Sequence, residues 1–193
     1  MLDWTAQAEG GRLRLPWPAS SGTLDIRHEG AGRPWLTVQA LAAVPLQAPV
    51  QAGYRITRKL SAVERRDPAA WSRGDIVRVR LEVQAVADMS WVVISDPLPT
   101  GARVLGSGLG GDAASATRGE RREGAAWLAF EERTEEAFRG YYRFMPRGTH
   151  VIEYTVRLNT AGTFGLPPSR VEAMYAPEIV GEWPNAPWVV VQP

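Results

Sequence analysis

The stretch GDIVRVRLEVQAVADMSWVVISDPLP, residues 74–99, decides the fold class. From Val77 to Ala85 every second residue is apolar, and the residues between them are charged or polar. This period of two predicts a half-buried antiparallel strand. A β-branched run from Trp91 to Ile94 follows, and the prolines after it end the strand because they have no N–H to donate to a ladder. The two runs predict a hairpin, or a near-hairpin, at the centre of a β-sandwich.

Similar alternating runs recur after Gly53, and turn residues separate them about every eight to twelve positions. No segment of the sequence keeps a helical period. The pattern predicts an all-β fold, an antiparallel β-sandwich with little helix. The runs are residues 54–60, 126–130, 138–144, 151–158, 171–175 and 188–191.

The first fifty residues contain shorter runs of the same kind. A sheet of three or four short strands buries too little area to be stable alone. Residues 1–50 are therefore predicted to be part of a small β domain, with a linker at Gln47–Pro49, and residues 51–193 to be a complete sandwich. The short runs are residues 13–17, 24–28 and 35–46.

The composition excludes several functional classes. The net charge is +1, from 22 basic and 21 acidic residues that are mixed along the chain. A nucleic-acid or anionic-membrane surface needs a concentrated basic face, so neither partner is predicted. The chain has no cysteine and hence no disulfide, thiolate metal site or thiol nucleophile. No apolar run approaches the ~20 residues that a membrane span requires.

The N-terminus, MLDWTAQAEGG, lacks the basic start and the apolar core of a signal peptide. Two interpretations follow: a cytosolic protein, or a piece of a longer secreted chain. Composition does not separate them.

One glycine-rich pattern resembles a nucleotide-binding motif. Gly106, Gly108 and Gly111 satisfy G-x-G-x-x-G after a strand, but the residues that follow, DAASATRGERREG, have no apolar helical face. The dinucleotide fingerprint needs a helix N-terminus behind its glycines. A flexible hairpin loop is therefore favoured over a nucleotide site.

The two histidines, His28 and His150, stand far apart, and neither has a second histidine or a carboxylate at ligand spacing. His150 follows the turn Arg147-Gly148, which predicts a solvent-facing position. No serine lies in a G-x-S-x-G nucleophile elbow. The sequence therefore predicts no catalytic, cofactor-binding or metal-binding residue, and the chain is not predicted to be an enzyme.

Two further features allow a functional interpretation beside a simpler one. The charge run Glu131–Glu136 fits an acidic partner patch, but a solvated turn that blunts strand edges is favoured.

Eight tryptophans fit a sugar-stacking platform. Trp35, Trp91 and Trp127 nevertheless lie inside strand patterns, and core positions are predicted for them.

The segment FGLPPSRVEAMYAPEIVGEW, residues 164–183, joins prolines to an apolar pair, Met174 and Tyr175, without a regular period. It is too rich in large residues for a plain loop and too broken for a strand. Large apolar residues on irregular backbone often mark a contact with another domain. A self-packed loop that closes one end of the sandwich is the alternative, and the pattern alone favours neither.

Several of these segments, in this order, resemble the C-terminal end of bacterial alpha-2-macroglobulins. The similarity begins at LDIRHEGAGRPWLTVQA, residues 24–40, and continues through GYRITRKLSAV, residues 53–63. The turn SDPLPTGARV, residues 95–104, and the segment TFGLPPSRVEAMYAPEIVG, residues 163–181, carry most of it.

The resemblance implies a large periplasmic protein, usually a lipoprotein at the inner membrane, that traps attacking proteases in bacterial defence. Cleavage of a bait region triggers a conformational change, and a thioester on a helical domain then bonds to the protease. Residues 51–193 would be the terminal macroglobulin-like domain, and residues 1–50 the C-terminal half of a CUB-like domain. The implied partners are the other domains of the parent chain, target proteases, and a peptidoglycan-synthesising penicillin-binding protein.

The chain departs from the family pattern because it has no Cys-x-x-Gln thioester motif, no bait region and no helical domain. It is therefore not a competent trap by itself, and the resemblance implies a non-catalytic role. In thioester-containing members the terminal domain packs against the thioester domain and helps to exclude water. The residues that match that contact are Met174 and Tyr175. A standalone sandwich that binds carbohydrate or peptide is the alternative, and a hydrolase lacks a nucleophile–base pair.

Overall fold

The computed structural model describes residues 11–16, 22–28, 31–33, 35–42, 44–106, 113–186 and 189–193. Within these residues the chain forms strands joined by short turns and one short helix, so the predicted all-β class with little helix is confirmed. The elements in chain order are β1 (Val50–Ala52), β2 (Tyr54–Glu64), β3 (Trp71–Ser72), β4 (Ile76–Ala85), β5 (Met89–Pro97), β6 (Arg103–Val104), α1 (Ala113–Thr117), β7 (Arg122–Glu123), β8 (Trp127–Arg133), β9 (Ala137–Met145), β10 (Gly148–Arg157), β11 (Gly162–Phe164), β12 (Ser169–Ala173), β13 (Ala176–Trp183) and β14 (Val189–Gln192).

The strands form two large sheets and one small one. The first sheet has the order β1-β13-β12-β5-β9-β8, and the second has the order β2-β4-β10-β6 with β7 also paired to β10. The small sheet has the order β11-β14-β3, and its β14–β3 pair is parallel whereas the other pairs of the strands named above are antiparallel. The apolar faces of the two large sheets share one hydrophobic core, which is the predicted sandwich.

β4 and β5 belong to opposite sheets, so the hairpin predicted for residues 74–99 is wrong. β4 pairs with β2 and β10, whereas β5 pairs with β12 and β9. The predicted alternation of β4 is confirmed, because Leu81 and Val83 are fully buried, and Val92 and Ile94 of β5 are buried as well. Their apolar faces meet across the core instead of lying side by side. A period of two specifies which face is buried but not which strand is the neighbour.

An aromatic pair joins the two large sheets at mid-core. The rings of Phe138 on β9 and Tyr154 on β10 are stacked, with centroids 4.2 Å apart and planes 10° apart. Both side chains are fully buried. Aromatic pairs of this kind contribute about 0.5–1.5 kcal/mol beyond the area that they bury.

β10 is buried on both faces, although its sequence alternates like a half-buried strand. On the outer face Glu153 accepts hydrogen bonds from Arg80 Nη1 at 3.0 Å and from the Arg121 backbone N–H at 3.1 Å. Arg78 donates to the backbone oxygens of Ala116 and Arg118, at 2.9 and 3.2 Å. These bonds bind the polar segment around α1 to the sheet and cover its outer side.

The chain divides after Ala42 into two units, and the first is described by itself. The residues that the structure describes between 11 and 42 form neither strand nor helix, and all of them are exposed. The described parts of residues 13–17, 24–28 and 35–46 are thus not the strands that the sequence predicts. A strand needs a ladder of hydrogen bonds along its length, and no strand is assigned to the described parts of these segments. The assignment of residues 1–50 to half of a CUB-like domain stays a prediction.

The described residues between 11 and 42 are expected to exchange their amide hydrogens within seconds, whereas β4 and β10 remain protected. Exchange follows local opening, which costs little where backbone amides lack a ladder and side chains are exposed. Hydrogen–deuterium exchange with peptide-level mass spectrometry measures this difference. Equal protection of both units would contradict the division of the chain.

No helix among the described residues has the length and apolar character needed to cross a membrane.

Candidate functional site

Met174 and Tyr175, the predicted contact residues, form the two-residue turn between β12 and β13, and we call them the hairpin tip. Met174 is 45% exposed and Tyr175 is 80% exposed. A loop packed on itself would bury its large apolar residues, so the exposure disfavours that alternative. The role of the tip as an interdomain contact stays a prediction.

The backbone around the tip is a hairpin of two strands, so the expectation that the segment is too broken for a strand is wrong, but its predicted irregularity is present as a register shift. Glu172 faces Val180 and Ala173 faces Ala176, which leaves residues 177–179 as extra residues on β13 opposite β12. Proline is tolerated at such an irregularity because no ladder bond requires its N–H. The extra residues also break the period of two in the sequence.

The hairpin tip is fixed to the core beneath it. Val171 and Ala173 on β12 are buried and face Ile94 and Val92 on β5. One position further along, the backbone N–H of Met174 donates to the carbonyl oxygen of Trp91 at 2.7 Å. The exposed turn therefore stands on a rigid, paired part of the sheet.

Trp91, which supplies this carbonyl, has a strained backbone. Its φ is +53°, and it is the one non-glycine residue with a positive φ in the described part of the chain. The pairing of β5 with β9 keeps its register from Ser90 to Val92 but skips Trp91. A bulky residue in this conformation costs about 1–3 kcal/mol.

The tryptophans predicted to be core residues are not core residues. Trp35 is 99% exposed, Trp127 is 65% exposed and Trp91 is 41% exposed. Trp127 lies on the edge strand β8, and Trp91 lies at the position of β5 that the pairing with β9 skips, and neither side chain is buried in the interior of the sandwich. A strand pattern shows that a residue lies in a sheet but not whether its face is covered.

A second concentration of polar chemistry lies inside the sandwich around Asp96 of β5, which is fully buried. Arg58 Nε of β2 lies 2.9 Å from both Asp96 carboxylate oxygens. Tyr154 and Ser169 each donate a short hydroxyl hydrogen bond to the same carboxylate. Because β2 and β10 belong to one large sheet and β5 and β12 to the other, these four residues connect the two sheets. The sequence analysis does not predict this cluster. The position of Asp96, between a strand and two prolines, is the kind of sequence feature that could have indicated it.

The environment of the Asp96 cluster shifts the pKa values of its members. Burial raises the pKa of Tyr154 well above its usual value, and the charge of Asp96 adds to the shift. Burial alone lowers the pKa of Arg58, but the charge of Asp96 and its hydrogen bond outweigh this and raise it. Both groups thus keep their protons, so neither Tyr154 nor Arg58 is a base or a nucleophile activated by a lowered pKa. We interpret it as structural.

His150 is buried, so its predicted solvent-facing position is wrong. It lies on β10, and its Nε2 is 2.8 Å from the carbonyl oxygen of Pro146. A Cβ built on Gly124 would come within 2.4 Å of its Nδ1, so a close turn covers the ring. The preceding turn does not keep the histidine in solvent, because β10 is covered on both faces.

The glycine-rich pattern falls only partly within the described residues. Gly108 and Gly111 lie outside them, whereas Gly106 has a φ of +84°. The helix that follows, α1, has five residues, which is too short to provide the helix terminus of a dinucleotide site.

Gly106→Ala is expected to destabilise the chain by about 1–3 kcal/mol, because alanine at this positive φ is strained. The new Cβ would also lie 3.0 Å from Thr117 Cγ2 and 3.1 Å from Arg133 Nη1. Gly74→Ala is the matched control, since Gly74 has a φ of +97° but open space around its Cβ position. Urea denaturation should show a larger loss for Gly106→Ala. Equal losses would mean that the backbone conformation alone matters.

The charge run Glu131–Glu136 begins on β8 and continues into the turn before β9. Glu131 pairs with Arg122 at 2.5 Å and with Arg133 at 2.9 Å, and Glu132 pairs with Arg139 at 3.1 Å. These ion pairs neutralise the first half of the run. An acidic partner patch is therefore disfavoured.

The outer end of β8 carries exposed aromatic side chains at the edge of the first sheet. Trp127 and Phe130 are exposed, and their rings lie 5.6 Å from Phe144 and 6.2 Å from Tyr141, respectively, between centroids. Leu128 between them is exposed as well. We call Trp127, Leu128 and Phe130 the β8 surface.

Among the residues that the structure describes, no three His, Asp or Glu side chains come together in an arrangement that could hold a metal ion.

The comparisons with known proteins agree on one family. Residues 53–178 match the model of the bacterial alpha-2-macroglobulin MG10 domain. An alpha-2-macroglobulin of Xylella fastidiosa is 29% identical over 170 residues, which cover 79% of this chain and 10% of that protein. An alpha-2-macroglobulin homolog of Nostoc is 27% identical over 142 residues, which cover 67% of this chain and 7% of that protein. The matched region is thus a tenth or less of each relative.

Solved structures show the same fold. Native alpha-2-macroglobulin from Escherichia coli, in a crystal structure spanning domain MG7 to the C-terminus, matches with a TM-score of 0.63 and 21% identity. The match covers 77% of this chain and 25% of that one. Salmonella alpha-2-macroglobulin reacted with methylamine matches with a TM-score of 0.59 and 20% identity, over 75% of this chain and 10% of that one.

The resemblance found in the sequence is confirmed, because the family model covers well over half of the chain. The chain belongs to the bacterial alpha-2-macroglobulin family, and residues 53–178 are its MG10 domain.

Proposed function

We propose that this chain is the non-catalytic terminal part of a periplasmic, membrane-anchored alpha-2-macroglobulin that traps proteases, and that its hairpin tip packs against the thioester domain of the same protein. One observation carries the second half of the proposal. Two large apolar residues, Met174 and Tyr175, stand exposed on a hairpin that is otherwise firmly packed. Exposed apolar groups on rigid backbone are typical of a surface that another domain covers.

The chemistry of a thioester explains why such a contact would be useful. An activated acyl group survives in water only if its site is kept dry until it reacts. A methionine fills irregular gaps, and a tyrosine buries its ring while its hydroxyl group keeps a hydrogen-bond partner. Burying each side chain contributes about 1.5–3 kcal/mol, which is enough to hold a domain contact that can still open.

The coding sequence upstream of this chain tests the first half of the proposal. We expect it to encode a signal peptide, repeated sandwich domains and a Cys-x-x-Gln motif. In the corresponding protein, trypsin added in small amounts should become covalently attached, as seen by a mass shift on denaturing gels, and prior treatment with methylamine should abolish the attachment. An independent 193-residue reading frame, or no attachment to the native protein, would contradict the protease trap.

A carbohydrate- or peptide-binding module remains the second candidate, because the β8 surface exposes two aromatic rings beside further aromatic neighbours. Aromatic faces stack on sugar rings, and a free sheet edge can pair with an extended peptide. Titration of the chain with glycan and peptide libraries, followed by tryptophan fluorescence, tests this function. Saturable binding that Trp127→Ala removes would favour it.

A further inference from the structure

We propose that Trp91 is a third side chain of the interdomain contact made by the hairpin tip, and that its strained backbone is retained because the indole is buried there by a neighbouring domain of the same protein. This inference rests on the proposed function and extends it to a residue on β5, a strand outside the hairpin of β12 and β13. We propose Trp91 as a contact residue and not as a catalytic one, since nothing in the described chain gives it a chemical role.

The position of Trp91 beside the hairpin tip is the first support for the inference. β12 and β5 run antiparallel with Ala173 facing Val92, so the next pair along the two strands is Met174 and Trp91. The hydrogen bond from the Met174 N–H to the Trp91 carbonyl oxygen, at 2.7 Å, fixes these two backbones together. Ala173 and Val92 are both buried, whereas Met174 and Trp91 are both exposed. Trp91 therefore stands next to the tip, at the place where the paired strands leave the core.

The strained backbone of Trp91 is the second support for the inference. Glycine and asparagine adopt a positive φ far more readily than a bulky aromatic residue does. A tryptophan at this positive φ is therefore an unfavourable choice for the isolated domain, particularly since 41% of its surface stays exposed. Strained residues persist where surrounding structure or function compensates for them. Burial of the indole by a neighbouring domain would supply that compensation.

The side chains also define the chemistry of the partner surface. Within the described chain, no group accepts a hydrogen bond from the indole N–H of Trp91 or bonds to the hydroxyl group of Tyr175. Both groups usually find a partner when they are buried. The partner is therefore an apolar recess with at least two polar atoms at its rim, on a domain of the same protein. Trp, Tyr and Met are residues that dominate the buried centre of interfaces.

Oxidative footprinting with hydroxyl radicals tests the contact without relying on thioester chemistry. Tryptophan, methionine and tyrosine all react readily, so Trp91 and the hairpin tip are reported together in one mass-spectrometric experiment. The oxidation rate of Trp91 should fall about ten-fold or more from the 193-residue chain to the full-length protein, since contacts of this size shift occupancy by that factor. An equal rate in the two proteins overturns the inference.

A set of variants then separates the failure of this inference from the failure of the proposed function. Trp91→Asn keeps a residue that tolerates a positive φ and removes the indole. It should leave the melting temperature of the 193-residue chain within about 4 °C, which shows that the domain still folds. In the full-length protein it should accelerate the reaction of the thioester with methylamine about ten-fold. Trp91→Phe should restore most of the native rate, and the matched control Trp127→Asn should leave it unchanged.

If Met174→Ala with Tyr175→Ala accelerates the methylamine reaction and Trp91→Asn does not, the proposed function stands and the role of Trp91 is refuted. If neither variant changes the rate while Trp91 is protected from oxidation, the contact is real and thioester shielding is refuted. If neither effect is seen, the contact of the hairpin tip and the role of Trp91 are both refuted, and the protease trap is decided by the trypsin experiment alone.

Discussion

Replacing Asp96 with alanine is expected to lower the free energy of unfolding of the chain by about 3–5 kcal/mol, the usual effect of breaking a buried ion pair. The Arg58 side chain is 9% exposed and that of Asp96 is fully buried. Removing the carboxylate leaves the guanidinium charge in the interior without its partner. The hydroxyl groups of Tyr154 and Ser169 lose their acceptor at the same time.

Urea denaturation followed by fluorescence measures this loss. Glu172→Ala is the matched control, because it breaks an arginine–carboxylate pair at the surface, between Arg170 and Glu172 at 2.5 Å. Exposed pairs contribute about 0–1 kcal/mol, so the control should change little. The double variant Arg58→Met with Asp96→Leu should recover part of the stability, because an apolar pair carries no unpaired charge while the hydroxyl groups of Tyr154 and Ser169 still lack their acceptor. Similar losses for Asp96→Ala and Glu172→Ala would contradict the buried network.

The Asp96 cluster also bears on the contact site through the strands that carry it. Asp96 lies on β5 and Ser169 lies on β12, and β5 also carries Trp91 whereas β12 leads into the hairpin tip. Arg58 and Tyr154 tie these strands to the opposite sheet. An exposed apolar contact requires a rigid base if it is to keep its geometry without a partner. The buried network is suited to provide that base.

The sequence predicts the buried faces of this fold well and its strand neighbours poorly. Each apolar residue of β4 that alternates from Val77 to Ala85 is buried, as predicted. The hairpin with β5 is wrong, because alternation is a local property and pairing depends on contacts distant in sequence. His150 shows the same limit, since its burial comes from the cover over β10 and not from its own neighbours in sequence.

Only part of the candidate site could be predicted from the sequence. The resemblance, together with two large apolar side chains beside prolines, predicts Met174 and Tyr175. The structure shows in addition that both side chains are exposed. The sequence predicts a core position for Trp91 because this residue begins the β-branched run to Ile94. A positive φ at one residue of such a run cannot be read from the sequence. The Asp96 cluster assembles four residues from four strands. No spacing in the sequence reports a cluster of that kind.

The largest functional effect is expected from Met174→Ala combined with Tyr175→Ala in the full-length protein. If the tip shields a thioester, losing two apolar contacts of about 1.5 kcal/mol each raises the population of the open contact on the order of 100-fold. The rate of methylamine incorporation should rise accordingly. In the 193-residue chain the same double variant should cost about 1 kcal/mol or less, because both side chains are exposed there.

Leu128→Ala with Phe130→Ala is the matched control, since it removes two exposed apolar side chains from the β8 surface of the same sheet. It should leave methylamine incorporation unchanged. A core role for the tip predicts the reverse of the expected result: a loss of about 2–5 kcal/mol in the isolated chain, and a reaction rate that changes only when the protein unfolds. Because the tip stands outside the core but is hydrogen-bonded to Trp91, stability and reactivity should separate in this variant.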